Sequence, residues 1–139
     1  MNRVEFEHLR DLPDKEISQD IIFLPKNSTT MSFTEVPVVN SLGVELVING
    51  SFVPDIPAIK FNFCIQGIGP ICRVEVNSSR HGNAGRTHKH SLQKDNCPRK
   101  NLPHADARPD LENKSAREVW ETLCQQAKIN HSGLFVDPE

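Results

Sequence analysis

A chain of 139 residues with 37% apolar and 24% charged residues can bury one hydrophobic core and is too apolar for wholesale disorder. Its formal net charge is −2, and no apolar run approaches the roughly 20 residues needed to span a bilayer. The acidic opening "MNRVEFEHLRDLPDKE" has no apolar signal-peptide core, so a single-domain cytoplasmic protein without membrane segments is expected.

The first 16 residues suit a short helix, with Asn2 as N-cap, a weak apolar face of Val4, Phe6 and Leu9, and Pro13 as terminator. Strand signals follow. "DIIFLP" is a short apolar run closed by Pro25, and "KNSTT" reads as a turn. "SFTEVPVVNS" and "VELVING" are rich in β-branched residues, and Pro37 inside the first marks an edge strand or a break. The two prolines of "FVPDIPAI" suggest an extended crossover. In "AIKFNFCI", Phe61, Phe63 and Ile65 share one face while Lys60, Asn62 and Cys64 share the other. "ICRVEVNS" alternates likewise, with Cys72, Val74 and Val76 opposite Arg73, Glu75 and Asn77, and "GIGP" between the two fits a hairpin turn. "RTHKHSL" is a third strand candidate.

Residues 94–114 hold three prolines and no apolar period, so a long surface loop is expected there. "SARE" then offers a capping box, Ser115 with Glu118, opening a helix over 116–129. Its buried stripe is Val119, Trp120, Leu123 and Ala127, its end is marked by Gly133, and "LFV" reads as a last short strand. The pattern predicts an α+β protein: an antiparallel meander of five or six strands, the C-terminal helix on one face, and a short N-terminal helix.

Cys64, Cys72, Cys97 and Cys124 form no CxxC pair and read as free thiols, with only Cys97 in an exposed setting. Charge is unevenly spread. Residues 1–72 carry five Lys and Arg against nine Asp and Glu, residues 73–108 eight against three, and residues 109–139 three against six. The basic middle also holds four of the six histidines. A local positive segment of this kind attracts RNA or an acidic protein partner.

If "RTHKHSL" is a strand, Arg86, His88 and His90 point to one side, the two imidazoles about 7 Å apart along it. The neighbouring strand presents Arg73 and Glu75. On an outer, wet face these residues suit metal-free phosphodiester cleavage. One histidine takes a proton from the attacking hydroxyl, another protonates the leaving oxygen, and arginine stabilises the charge. Catalytic candidates are thus His88, His90 and Glu75. Phosphate or nucleic-acid contacts would come from Arg73, His81, Arg86, Arg99 and Lys100.

The same atoms allow a second chemistry. His-x-His on a strand can offer two nitrogens to one divalent metal ion, with His104, Asp95 or Glu75 as third ligand. Gly82, His88-x-His90 and Asp95 partly follow the first cupin motif. The acidic position is Asp rather than Glu, the next glycine is missing, and residues 96–139 leave no room to complete a cupin barrel. His8 and His131 read as solvated surface residues, Trp120 as the core anchor of the last helix.

The stretches "CRVEVNSSRHGN" and "THKHSL", within residues 58–92, resemble a group of small bacterial proteins from mobile DNA, toxin–antitoxin-like loci and integron cassettes. The shared features are a strand ending in an Arg-x-acid step, a His- and Gly-containing loop, and a His-x-His strand. The resemblance implies a stand-alone accessory protein, with an RNase-like toxin activity and an antitoxin partner as the corresponding expectations. A non-enzymatic interaction module is the alternative from the basic loop alone.

Overall fold

Strict period-two alternation in the middle of the chain places the sheet. In the computed structural model, which describes residues 3–78, 85–91 and 105–138, a helix α1 (Arg3–Asp11) precedes short strands β1 (Lys15–Ile17) and β2 (Leu24–Pro25). The long strands β3 (Met31–Val38), β4 (Leu46–Val53), β5 (Ala58–Ile65) and β6 (Gly69–Val76) follow. Next come β7 (His88–Ser91), β8 (Ala105–Ala107), the helix α2 (Ala116–Gln126) and β9 (Ile129–His131). Strands β2 to β8 form one seven-stranded sheet in chain order, every neighbouring pair antiparallel. Short connections make that order natural, because consecutive strands joined by tight turns pair antiparallel. β1 and β9 form a separate parallel pair. Among the described residues, no helix is long and apolar enough to cross a membrane.

One face of the sheet carries the core. Ile59, Phe61, Phe63 and Ile65 of β5 lie beside Cys72, Val74 and Val76 of β6, all buried. The stripe of α2, Val119, Trp120 and Leu123, covers them, and the capping box at Ser115 and Glu118 starts that helix. The Trp120 ring packs at 5.3 Å from Phe61 and 5.6 Å from Phe135. Its indole N–H donates to His131 Nδ1 at 3.1 Å, and His131 Nε2 lies 2.9 Å from the Gln19 carbonyl. His131 is therefore a structural tether between α2, β9 and the chain after β1, where a solvated residue was expected. His8 is exposed as expected.

Several elements differ from the sequence reading. Residues 52–58 form no crossover: Phe52 and Val53 extend β4, Ala58 begins β5, and the two prolines sit in the hairpin between them. β8 and a 3-10 turn at Pro109–Leu111 occupy part of the expected 94–114 loop, while residues 92–104 lie outside the described residues. Of "DIIFLP" only Leu24–Pro25 is a strand, with Ile21 making an isolated bridge to Phe135. α2 stops at Gln126, short of Gly133, because Lys128 adopts a left-handed conformation (φ 53) that turns the chain into β9. Gly133 serves close packing instead: a Cβ there would overlap the Gln19 carbonyl. Pro37 lies in β3 beyond the reach of β2, where the strand's outer side needs no N–H donor from it.

The opposite face is polar at its centre. Antiparallel register puts Ser51, Lys60, Glu75, His88 and Ala107 in one cross-strand row. Asn49, Asn62, Arg73, His90 and Ala105 form the next.

Candidate metal centre

Because Glu75 stands directly across from His88, and His90 is one pleat further along β7, both imidazoles converge on the same carboxylate. Glu75 Oε2 lies 3.0 Å from His88 Nε2 and 2.8 Å from His90 Nε2, and the two Nε2 atoms are 2.9 Å apart. Three electron-rich atoms thus form a nearly equilateral triangle. All three side chains are buried: relative exposure is 0% for His88, 2% for His90 and 4% for Glu75. The face was expected to be wet at these positions, and there it is closed.

Each imidazole nitrogen has a single in-plane direction along which it donates a proton or offers a lone pair. His88 Nδ1 lies 3.0 Å from the Gly85 carbonyl, which can only accept. That contact assigns a proton to Nδ1, so a neutral ring turns its Nε2 lone pair into the triangle and a protonated ring donates from Nε2 to Glu75. One proton inside the triangle satisfies one edge and leaves lone pairs opposed along another. Two protons crowd a pair of N–H groups against each other. A cation above the triangle satisfies all three atoms, and a backbone carbonyl holding the far nitrogen is the usual support for a metal-ligating histidine.

The triangle's size is informative. Metal–ligand bonds of about 2.1 Å set ligand atoms about 3.0 Å apart on an octahedral face, and about 3.4 Å apart on a tetrahedral one. Edges of 2.8 to 3.0 Å match the octahedral face.

Around Glu75 sit cations and a hydroxyl. Lys60 Nζ is 3.4 Å from Oε1, Ser78 Oγ donates to Oε1 at 3.1 Å, and Arg73 Nε is 3.9 Å from Oε2. Burial alone would raise this carboxyl. Lys60, the His88 hydrogen bond, Arg73 and Ser78 together outweigh burial and bring it down to about 2. It is therefore ionised at any physiological pH. Arg73 Nε and Asn62 Oδ1, on the same face, are buried without hydrogen-bond partners among the described residues.

Of the residues singled out by sequence, Glu75, His88, His90 and Arg73 are brought together. Arg86 lies on an exposed bend just before β7 and does not touch the triad. His81, Asp95, Arg99, Lys100 and His104 fall outside the described residues, as does Cys97. Cys72 and Cys124 are buried and Cys64 is half-buried, all three as free thiols. Lys60 and Ser78 were not among the candidates. Lys60 was nevertheless legible on the polar face of β5, whereas Ser78 owes its place to the chain continuing past β6. Comparison with protein-family models, curated proteins and solved structures finds no match.

Proposed function

We propose that this chain is a metalloprotein in which Glu75, His88 and His90 hold one divalent transition-metal ion by one face of its octahedron. The observation that carries the reading is the triangle of Oε2 and two Nε2 atoms with 2.8 to 3.0 Å edges, deeply buried, with His88 oriented from behind by Gly85. Two imidazoles and a carboxylate suit Fe²⁺, Mn²⁺, Co²⁺, Ni²⁺ or Zn²⁺ better than Ca²⁺ or Mg²⁺, which prefer all-oxygen shells. Three ligands from the protein leave three positions for water and substrate, so the ion would act as a Lewis acid or activate a bound water or oxygen species.

The metal-free cleavage scheme needs each histidine to reach a different oxygen of one phosphate, with the phosphoryl group between them. Imidazole nitrogens 2.9 Å apart leave no such gap, so the geometry favours the metal reading. In that reading the anionic substrate expected from the basic segment meets an ion rather than a histidine pair.

Elemental analysis of protein purified without chelators tests the proposal. About one transition-metal ion per chain is expected, falling to near zero in a His88→Ala/His90→Ala variant whose fold is verified by circular dichroism. Cobalt substitution tests the geometry: a weak, pink six-coordinate spectrum is expected rather than an intense blue tetrahedral one. Metal-free protein that binds none of these ions in calorimetric titration would refute the assignment.

A further inference from the structure

The Glu75 carboxylate has two sides. Oε2 faces the imidazoles, while Oε1 faces Lys60 and Ser78, and those two residues also line a cavity of about 450 Å³ on the same sheet face. Arg86 joins them at the cavity wall. The residue is exposed and its side chain makes no hydrogen bond or ion pair among the described residues, yet its backbone is fixed, since its carbonyl accepts from Ser78 N–H at 3.0 Å. Lys60 is only partly occupied by Glu75, at 3.4 Å with a half-exposed side chain. The rest of the wall combines aliphatic carbon from Val53, Ile56, Ala58 and Ile59 with the polar side chains of Ser51 and Asn77. Two cations and a hydroxyl in one cavity with four aliphatic side chains complement a small molecule with a charged head and an apolar body.

We propose that this cavity binds a small organic anion, a carboxylate or phosphate monoester, held by Arg86 and Lys60, and that it is the substrate pocket of the adjoining centre. The second half rests on the metal reading above; the anion site itself does not. Aliphatic carbon lining the cavity beside Lys60 and Arg86 suits a small organic anion better than a polyanion, and Arg73 is mostly covered. An anion that draws Lys60 and Ser78 toward itself leaves more electron density on Glu75 for the ion, and the ion's charge in turn attracts the anion. Binding of the two is therefore mutually strengthening, and the coupling must be equal in both directions.

The experiment is isothermal titration of chelator-treated and of metal-loaded protein with four probes: benzoate, phenyl phosphate, inorganic phosphate and a short RNA. Chelator-treated wild type should bind benzoate or phenyl phosphate. The preferred probe of these two identifies the head group, and inorganic phosphate, which has no apolar body, should bind more weakly than phenyl phosphate. Arg86→Gln should weaken the organic anion roughly tenfold or more while leaving metal stoichiometry at the wild-type value. Ile56→Glu, which adds a negative charge at an exposed wall position, should weaken it without removing any cation. Metal loading should tighten the organic anion by roughly tenfold, within the usual range of coupling between linked sites. No binding to the chelator-treated protein, or binding unchanged in both variants, overturns the pocket. RNA binding without small-anion binding overturns the assignment of a small ligand. Anion binding indifferent to a demonstrated metal ion keeps the pocket and overturns its role as substrate site. Anion binding in a chain that takes up no metal leaves the pocket standing and refutes the metal reading alone.

Discussion

Replacing Glu75 by glutamine preserves shape and removes one charge from a crowded buried site, so its effect can be worked from the geometry. In chelator-treated protein the ionised carboxylate is held by Lys60 at 3.4 Å, Ser78 at 3.1 Å and the two imidazoles at 2.8 and 3.0 Å. A carboxyl at about 2 instead of its usual 4.5 corresponds to about 3 kcal/mol in favour of the ionised folded state. Solvent around the half-exposed Lys60 amine screens part of that, leaving about 2 kcal/mol. For 139 residues the unfolding entropy is about 0.3 kcal/mol per kelvin, so Glu75→Gln should lower Tm at pH 7 by about 7 °C. The folded carboxyl lies below its unfolded value. Wild-type, metal-free protein should therefore keep this stabilisation above pH 4.5 and lose it as pH falls toward 2, and the variant should show no such loss from this site. If the site binds metal as proposed, the ion at 100 times its dissociation constant adds about 2.7 kcal/mol, or about 9 °C, to wild type. The variant should gain far less. Calorimetric melts with and without metal, from pH 3 to 7, check both parts. A Glu75→Gln protein that melts with wild type and shifts equally with metal would refute the idea that this carboxylate organises the site.

Gly50→Ala should destabilise by about 1 to 3 kcal/mol by overpacking, since a Cβ there would overlap the Phe33 ring; chemical denaturation measures the loss, and metal stoichiometry should not change. Lys15 is wholly buried, and its ammonium donates to the carbonyls of Leu9 and Leu12 at 2.8 and 2.9 Å and to that of Arg10. Lys15→Met keeps the apolar stem but strands carbonyls at the end of α1. A loss of about 2 to 3 kcal/mol and faster amide exchange confined first to α1 are expected by hydrogen-exchange mass spectrometry. Burial pushes the Cys124 thiol up to about 12 and also raises Cys72, so peptide mapping after brief iodoacetamide treatment of native protein should find both unalkylated.

Much of the fold was legible because local rules and tertiary packing agree there. The alternation of β5 and β6, the hairpin between them and the capping box of α2 each follow from residue spacing alone. The failures share a cause. β8, β1 and β9 are strands of three residues, whose pairing is set by distant partners rather than by their own composition. "ADA" carries no strand signal, yet it closes the sheet against His88 and His90 because the chain must return past β7. Likewise the prolines of "FVPDIPAI" suggested a crossover, when they sit outside the hydrogen-bonded ends of a hairpin.

The site was half legible for a related reason. Parity along a strand places Arg73 with Glu75, and His88 with His90, without knowledge of the fold. What parity cannot supply is register. With β7 shifted by two residues along β6, His88 would face Arg73 and Glu75 would face Arg86 instead of an imidazole. The same residues would then make a loose basic surface instead of a closed triangle. The observed pairing of Glu75 with His88 and Arg73 with His90 converges both imidazoles on one carboxylate oxygen. A motif that reads in sequence as wet decoration is closed in the fold, with all three side chains buried. The chemistry therefore lives in the register between two neighbouring strands. A change that slipped β7 by one residue would turn both histidines to the apolar face and break up the triangle, and the proposed metal site with it, although Glu75, His88 and His90 were all still present.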